Sequence, residues 1–221
     1  MLDLNLVLCY MPTDKTFARL NKLHYKISDG DKKTQAKALA KVDKIGYDIQ
    51  SSSRGVAHFK SKGEDAHHVV TVKGTDPTNK KDLMSDIHLA IGKSGSDKQF
   101  KKRTKDIKKI YAGIGDEEKH LTGHSLGGSI VSHAMVKSKS IRDNTKHAHT
   151  YNAGYTPAFH NELSKGLTKD DKRELKTKLK HNHNKGDPIS AALTINAVGK
   201  VSTTSGTAAS PHSLDNFSDK E

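Results

Sequence analysis

The sequence has no tryptophan, a single cysteine and no long apolar run. The lone Cys9 excludes an intramolecular disulfide, so nothing in the composition indicates an oxidising compartment, and a reduced setting is expected. No stretch reaches the roughly 20 apolar residues that a membrane span needs. Residues 1–11 contain Asp3 and Asn5 and lack a basic start, so they differ from a signal peptide and are expected to pack on the domain. These features predict a protein that is cytoplasmic or peripheral to membranes.

Arginine is also scarce, although the chain is strongly basic. The formal net charge is +13, which favours anionic partners such as nucleic acid, acidic lipid head groups or acidic substrates. The basic residues comprise 33 lysines and 5 arginines. Proteins that read phosphates and bases usually use the planar, bidentate fork of arginine, so no specific nucleic-acid partner is expected.

The 221 residues suffice for one domain with a substantial core, although only 33% of them are hydrophobic. Short β-prone runs lie at residues 56–59, 69–72, 120–122, 147–152 and 180–184, and the first two form successive strands or a hairpin. Helical patterns lie at residues 36–45, 83–91, 100–111, 130–135 and 162–180. This alternation predicts an α/β fold with a mostly parallel sheet flanked by helices. We expect one domain over residues 1–221 with a flexible tail at 213–221.

One glycine-rich segment matches the pattern of a catalytic serine. It reads Gly-His-Ser-Leu-Gly-Gly over residues 123–128. Small residues flanking Ser125 let the backbone turn sharply between a strand and a helix, which leaves the hydroxyl free to react. A β-prone run precedes this segment and an apolar helical pattern follows it, as such an elbow requires. The alternative is a glycine-rich loop that caps a helix without catalytic function.

Four segments resemble the class 3 lipase family of α/β-hydrolases. They read VVTVKGTD at 69–76, DLMSDI at 82–87, TGHSLGG at 122–128 and TYNAG at 150–154. The resemblance covers most of the chain from about Ile45 onward. Lys73 stands where the family usually has arginine and Leu83 where it has tryptophan, and its H-x-G-F segment has no clear counterpart before Phe100. The resemblance implies a single-domain α/β-hydrolase that cleaves carboxylic esters, with acylglycerols and phospholipids among the family's substrates.

Two further residues complete a predicted Ser-His-Asp triad, because the chain order in this fold is serine, acid, then histidine. Asp187 follows a weak strand, and Pro188 forces it into an extended conformation, as expected of an acid at a strand end. The resemblance of residues 187–189 to the family adds to that position, and a plain Gly-Asp-Pro turn is the alternative. His212 is the only histidine after Asp187, so it is the candidate base.

The predicted reaction begins with attack of Ser125 on the ester carbonyl. His212 takes the hydroxyl proton, and Asp187 holds the imidazole in the correct tautomer. The backbone N–H groups of Leu126 and Thr75 would form the oxyanion hole. A plain turn after a strand is the alternative interpretation of Thr75.

The histidine content raises the question of a metal site. His147 and His149, like His181 and His183, lie two residues apart and would share one face of a strand. Catalytic zinc usually requires three protein ligands, and solvated histidines explain the pairs better. We therefore expect no metal and no cofactor. His124 is expected to pack in the elbow.

Three functions remain open at this point. The first is a lipase or esterase, including a phospholipase A1-like enzyme. The second is a basic protein on a non-catalytic hydrolase scaffold that binds membranes or nucleic acid, and the third is a peptidase or thioesterase with the same triad. Residues 76–93 are either a lid over the site or part of the core. Basic residues at 101–103, 105, 108 and 109 form either an anionic-membrane surface or a solvated helix face.

Overall fold

The computed structural model describes residues 12–74, 91–92, 98–195, 197–208 and 210–218. The opening segment at 1–11, Thr75 and nearly all of the lid candidate at 76–93 lie outside these residues.

Over the described residues, seven strands form one sheet, and their order in the sheet is their order in the chain. The strands are β1 Tyr47–Ser52, β2 Val56–Ser61, β3 His67–Val72, β4 Glu118–His124, β5 His147–Tyr151, β6 Leu179–Asn184 and β7 Lys200–Thr204. β1, β2 and β3 pair antiparallel, whereas β3 to β7 pair parallel. The predicted α/β fold with a mostly parallel sheet is confirmed. The two β-prone runs at 56–59 and 69–72 pair as a hairpin, one of the two expected arrangements, with Val56 opposite Val72.

Helices cover both faces of the sheet. They are α1 Asp14–Asp29, α2 Lys32–Lys44, α3 Lys98–Ala112, α4 Leu126–Lys137, α5 Lys139–Asn144, α6 Pro157–Ser164 and α7 Lys169–Lys178, with short 3₁₀ turns at Ala191–Ile195 and Leu214–Asn216. α1 and α2 enclose one apolar cluster around Phe17, Leu20 and Phe59. α3 to α7 enclose a second cluster, which contains Ile107 and Ile130. This two-sided burial explains why β3 buries all of its residues, although two of them are histidines and one is a threonine.

Sequence patterns missed α1, although its buried positions follow a helical stripe. Asn21 and His24 occupy that stripe and are both buried. The Asn21 amide donates to the Phe17 carbonyl at 2.9 Å and to the Thr122 hydroxyl at 2.7 Å, so burial leaves no unpaired amide N–H. Polar residues that are buried through tertiary hydrogen bonds break the apolar periodicity on which helix prediction relies.

The described part of the tail is packed, in place of the frayed segment expected from Ser213. Leu214 is 7% exposed, and the Phe217 ring lies 5.2 Å from the Tyr151 ring. Lys22 on α1 pairs with Asp215 at 2.6 Å. Two apolar side chains thus anchor a polar segment that its composition alone would leave free. Among the described residues, no helix has both the length and the apolar character that crossing a bilayer requires.

Candidate active site

The glycine-rich segment forms a strained strand-to-helix turn. β4 ends at His124, Ser125 follows with φ 58° and ψ −130°, and α4 begins at Leu126. A positive φ is uncommon for a residue other than glycine and marks a conformation that its surroundings impose. A Cβ at Gly123 would lie 2.5 Å from the Gly127 carbonyl oxygen, and a Cβ at Gly127 would overlap the Val72 carbonyl. Both positions therefore require glycine.

The Ser125 hydroxyl is buried and has no hydrogen-bond partner within the described part of the chain. The end of β3 lies against it, since a Cβ at Gly74 would be 2.9 Å from the Ser125 Cβ. Leu126 is the first residue of α4, so its backbone N–H belongs to the helix-terminal donors that lack an intrahelical partner. Thr75, the other predicted oxyanion residue, follows Gly74 directly but lies outside the described residues.

The structure brings Asp187 and His212 into contact. Nδ1 of His212 lies 3.1 Å from Oδ1 of Asp187, whose side chain is fully buried. Asp187 also accepts the backbone N–H groups of Ile189 at 3.3 Å and Ser190 at 3.2 Å, and the Ser190 hydroxyl. Burial pushes the pKa of Asp187 upward, but the hydrogen bonds from His212, Ser190 and Ile189 outweigh it and hold that pKa below its ordinary value. Asp187 is therefore an anion at neutral pH.

His124 connects His212 to the elbow. Its Nε2 lies 2.9 Å from the His212 carbonyl oxygen, and the two rings are 4.8 Å apart. Burial lowers the pKa of His124 to about 3, so the ring is neutral and donates through one nitrogen only. The other nitrogen, Nδ1, lies 3.2 Å from the Tyr25 hydroxyl, which accepts the Gly74 N–H at 2.9 Å. This chain of hydrogen bonds joins α1, the end of β3, the elbow and His212.

The imidazole Nε2 of His212 is buried and has no hydrogen-bond partner in the described ranges. Two groups of the predicted triad, this nitrogen and the Ser125 hydroxyl, are thus buried and not hydrogen-bonded to each other, on segments that His124 connects. Sequence reasoning named both residues but missed the polar side chains around them, which are Ser190, Tyr25 and three asparagines that bond the Pro211 carbonyl. A hydroxyl three residues after an aspartate in a turn is the one local signal that could have identified Ser190.

One of the two histidine pairs, His181 and His183, is not solvated as expected. His181 is fully buried and contacts the Thr150 hydroxyl and the Val198 carbonyl, both at 2.8 Å. His183 is 5% exposed and lies 2.6 Å from the Ser190 hydroxyl. Parallel strands on both sides of β6 and the turn after it bury these rings, which their spacing in the sequence does not reveal. Where the structure is described, no group of three or more potential ligands could hold a metal ion.

Comparison with known proteins gives a family and several distant structural likenesses. The family model described as "Phospholipase-like: Tle-like phospholipase domain" matches residues 18–213. A lipase from Rhizopus microsporus var. chinensis is 14% identical, with 91% of this chain and 81% of that chain covered and a TM-score of 0.46. The carboxylesterase CesB from Bacillus subtilis is 12% identical, with 82% and 92% covered and a TM-score of 0.41. No curated protein matches the sequence.

The family match supports a lipase-like α/β-hydrolase and the hydrolysis of esters. The narrower resemblance to class 3 lipases stays a prediction. Because the matched residues 18–213 make up most of the chain, this protein belongs to the phospholipase-like family that carries a Tle-like phospholipase domain.

Proposed function

We propose that the protein is a serine ester hydrolase that cleaves carboxylic esters of lipids through Ser125, His212 and Asp187. The observation that carries this proposal is the strained elbow with its buried, unpaired hydroxyl, which His124 connects to a histidine that a buried carboxylate holds at 3.1 Å. Such strain at a nucleophile is typical of a site whose geometry serves chemistry rather than stability. Membership of a phospholipase-like family supports lipid esters as substrates, and we propose phospholipase A1-like cleavage among the activities to test.

In the proposed reaction the Ser125 oxygen attacks the carbonyl carbon, and its proton passes to Nε2 of His212. Asp187 keeps the imidazole's own proton on Nδ1, which leaves Nε2 free to accept the serine proton. As the ester C–O bond breaks, His212 returns the proton to the departing alcohol and an acyl-serine remains. Water then attacks the acyl group with His212 again as base, which releases the fatty acid and restores the serine. The residues named require neither a metal nor a cofactor.

The negative charge that develops on the carbonyl oxygen needs donors on the opposite side from His212. We assign this role to the backbone N–H groups of Leu126, at the start of α4, and of Thr75. The closeness of Gly74 to the Ser125 Cβ supports the assignment, because Thr75 is the next residue in the chain. Loss of one such donor typically costs about a hundredfold or more in rate.

A fluorophosphonate probe tests the proposal, because it reacts covalently with an activated serine. We expect the wild-type protein to gain one probe mass and the Ser125→Ala variant to gain none. Ser132→Ala is a matched control, since Ser132 is a buried serine on α4 whose hydroxyl bonds the Gly128 carbonyl at 2.9 Å. Absence of labelling in folded wild-type protein would overturn the proposal and favour a non-catalytic binding protein. Intact-mass spectrometry after labelling to completion gives the result.

The exposed face of α3 supports peripheral contact with anionic membranes. Its apolar residues Phe100, Ile107 and Tyr111 are buried, and its exposed lysines are Lys98, Lys101, Lys102, Lys105, Lys108 and Lys109. Arg103 differs from the expected surface residue, because its guanidinium donates to the Lys73 carbonyl at the end of β3. That contact holds α3 beside the strand end that borders Ser125.

Neutralising four lysines of α3 is expected to weaken vesicle binding and spare the chemistry. Each lysine near an anionic bilayer contributes on the order of 1 kcal/mol, so glutamine at 101, 102, 105 and 108 should lower sedimentation with phosphatidylglycerol vesicles by tenfold or more. Hydrolysis of soluble p-nitrophenyl esters should not change. The matched control replaces the exposed Lys32, Lys33, Lys37 and Lys44 of α2, on the other face of the sheet, with the same change in net charge. Equal losses in both variants, or equal binding to neutral vesicles, would contradict a specific α3 surface.

A further inference from the structure

Three asparagines from different parts of the chain converge on one carbonyl group. The amide nitrogens of Asn152, Asn184 and Asn216 lie 3.0, 2.9 and 3.1 Å from the carbonyl oxygen of Pro211. Pro211 directly precedes His212. A carbonyl oxygen has two lone pairs, so three amide donors satisfy it fully and hold the backbone at that point. The segment that carries the candidate base is thereby tied to the ends of β5 and β6.

Asn152 differs from the other two, because its amide also contacts the side of the site that carries the acid. Its Oδ1 accepts the backbone N–H of Asn184 at 2.9 Å and lies 3.4 Å from the Ser190 hydroxyl. That hydroxyl donates to Asp187. One fully buried amide therefore contacts the support of the candidate acid through its oxygen and the base segment through its nitrogen.

The backbone at Asn152 supports a special role. Its φ is 43°, one of two positive values among the described residues other than glycine, and the second belongs to Ser125. Asparagine tolerates this conformation better than most side chains, because its short polar group bonds locally. Alanine would lose both contacts, and aspartate would lose the donor toward Pro211. The position thus requires both the backbone tolerance and the two-sided amide of asparagine.

We propose that Asn152 is a positioning residue that keeps the Asp187 carboxylate and the His212 imidazole at the distance and orientation that the proposed reaction needs. This inference rests on the proposed ester hydrolase function and adds a determinant of its rate. The Asn152 side chain does not touch the reacting atoms. It holds together the segments that carry Asp187 and His212, and the contact between those two residues prepares His212 to act as the base. A displacement of about 1 Å in such a contact lowers rates by on the order of a hundredfold.

The test is Asn152→Gly, because glycine accepts the positive φ while removing the amide. The experiment measures kcat for a soluble p-nitrophenyl ester and divides the rate by the amount of Ser125 that the fluorophosphonate probe labels at completion. We expect this kcat to fall about 10- to 100-fold, with KM changed less than about threefold. Loss of folded protein alone would lower the labelled fraction and leave kcat per labelled site unchanged. In an Asp187→Ala background the same substitution should lower kcat by less than about twofold, because residues that act as a unit are not additive.

The matched control is Asn182→Ala. Asn182 is also buried, lies on β6, and has an amide nitrogen without a partner among the described residues. It should retain kcat. Hydrogen exchange gives a readout that does not depend on turnover, since residues 210–213 should exchange faster in Asn152→Gly and not in Asn182→Ala. If Asn152→Gly does not fold, Asn152→Asp keeps the acceptor and removes the donor, and it should show the same fall in kcat.

The outcomes separate this inference from the proposed function. Suppose that the wild-type protein labels at Ser125. The positioning role alone would then be overturned if Asn152→Gly retains full kcat, or if its effect multiplies that of Asp187→Ala in the double variant. A folded wild-type protein that neither labels nor hydrolyses esters would overturn the proposed function and this inference with it.

Discussion

Asp187→Ala is expected to lower kcat by roughly 10³- to 10⁴-fold and to leave the protein folded. Without the carboxylate at 3.1 Å, the His212 imidazole loses the partner that sets its tautomer and stabilises the imidazolium formed during attack. Steady-state hydrolysis of p-nitrophenyl butyrate measures the change. His212→Ala should have a comparable or larger effect.

The kcat of the double variant Ser125→Ala, Asp187→Ala should lie within about twofold of the kcat of Ser125→Ala, since these residues are proposed to work as one unit. Asp215→Ala is the control. Asp215 lies three residues after His212 and is half exposed, and within the described residues its carboxylate bonds Lys22 on α1 and Ser213 in its own turn. An Asp187→Ala protein with near-normal kcat would show that the acid lies elsewhere. The assignment of His212 would then lose its main support.

A large loss of stability is expected when the pH falls from about 7 to 4. His24, His120 and His181 are fully buried, and burial lowers their pKa values to about 4, 3 and 4 from an ordinary value of 6.5. Below pH 6.5 the unfolded chain binds protons at these histidines and the native state does not. Stability therefore rises with pH through this range, is complete above about 6.5, and decreases as the pH falls toward the folded pKa values.

Each such histidine contributes a slope of about 1.4 kcal/mol per pH unit, or about 2 kcal/mol between pH 6.5 and 5. Urea unfolding at pH 7.5, 6.5, 5.5 and 4.5 measures the total. His24→Gln should reduce the dependence of the unfolding free energy on pH by about 1.4 kcal/mol per pH unit, the contribution of one proton. Asn182→Ala should change the unfolding free energy without changing this slope. A free energy of unfolding that stays constant from pH 7.5 to 4.5 would contradict neutral burial of these rings.

Carboxylates respond in a separate window. Hydrogen bonds from His149 and Lys180 outweigh partial burial and lower the pKa of Asp14 to about 2. A group with a lowered acid pKa contributes stability above its ordinary value of 3.8 and loses it only as the pH falls from there toward 2. Losses above about pH 5, where the carboxylates stay ionised in both states, therefore report the histidines.

Local patterns predicted much of the fold and part of the site. The apolar runs of β2 and β3 and the amphipathic spacing of α3 record which faces are buried, and a single sequence displays that periodicity. The glycines at 123 and 127 identify the elbow, because only glycine fits beside the carbonyls there. β1 and β7 were missed because both are largely polar and exposed, and so lack the alternation that marks a half-buried strand.

The sequence by itself determined that Ser125 lies on a tight turn between a strand and a helix, and that Asp187 and His212 follow it in the order serine, acid, histidine. Only the tertiary structure decided that Asp187 and His212 touch, that Asn152 contacts both of their segments, and that His181 is buried. The physical reason is the range of the interactions. Turns and amphipathic faces depend on neighbours within a few residues, whereas polar contacts across 25 to 59 residues depend on how parallel strands bring their ends to one edge of the sheet.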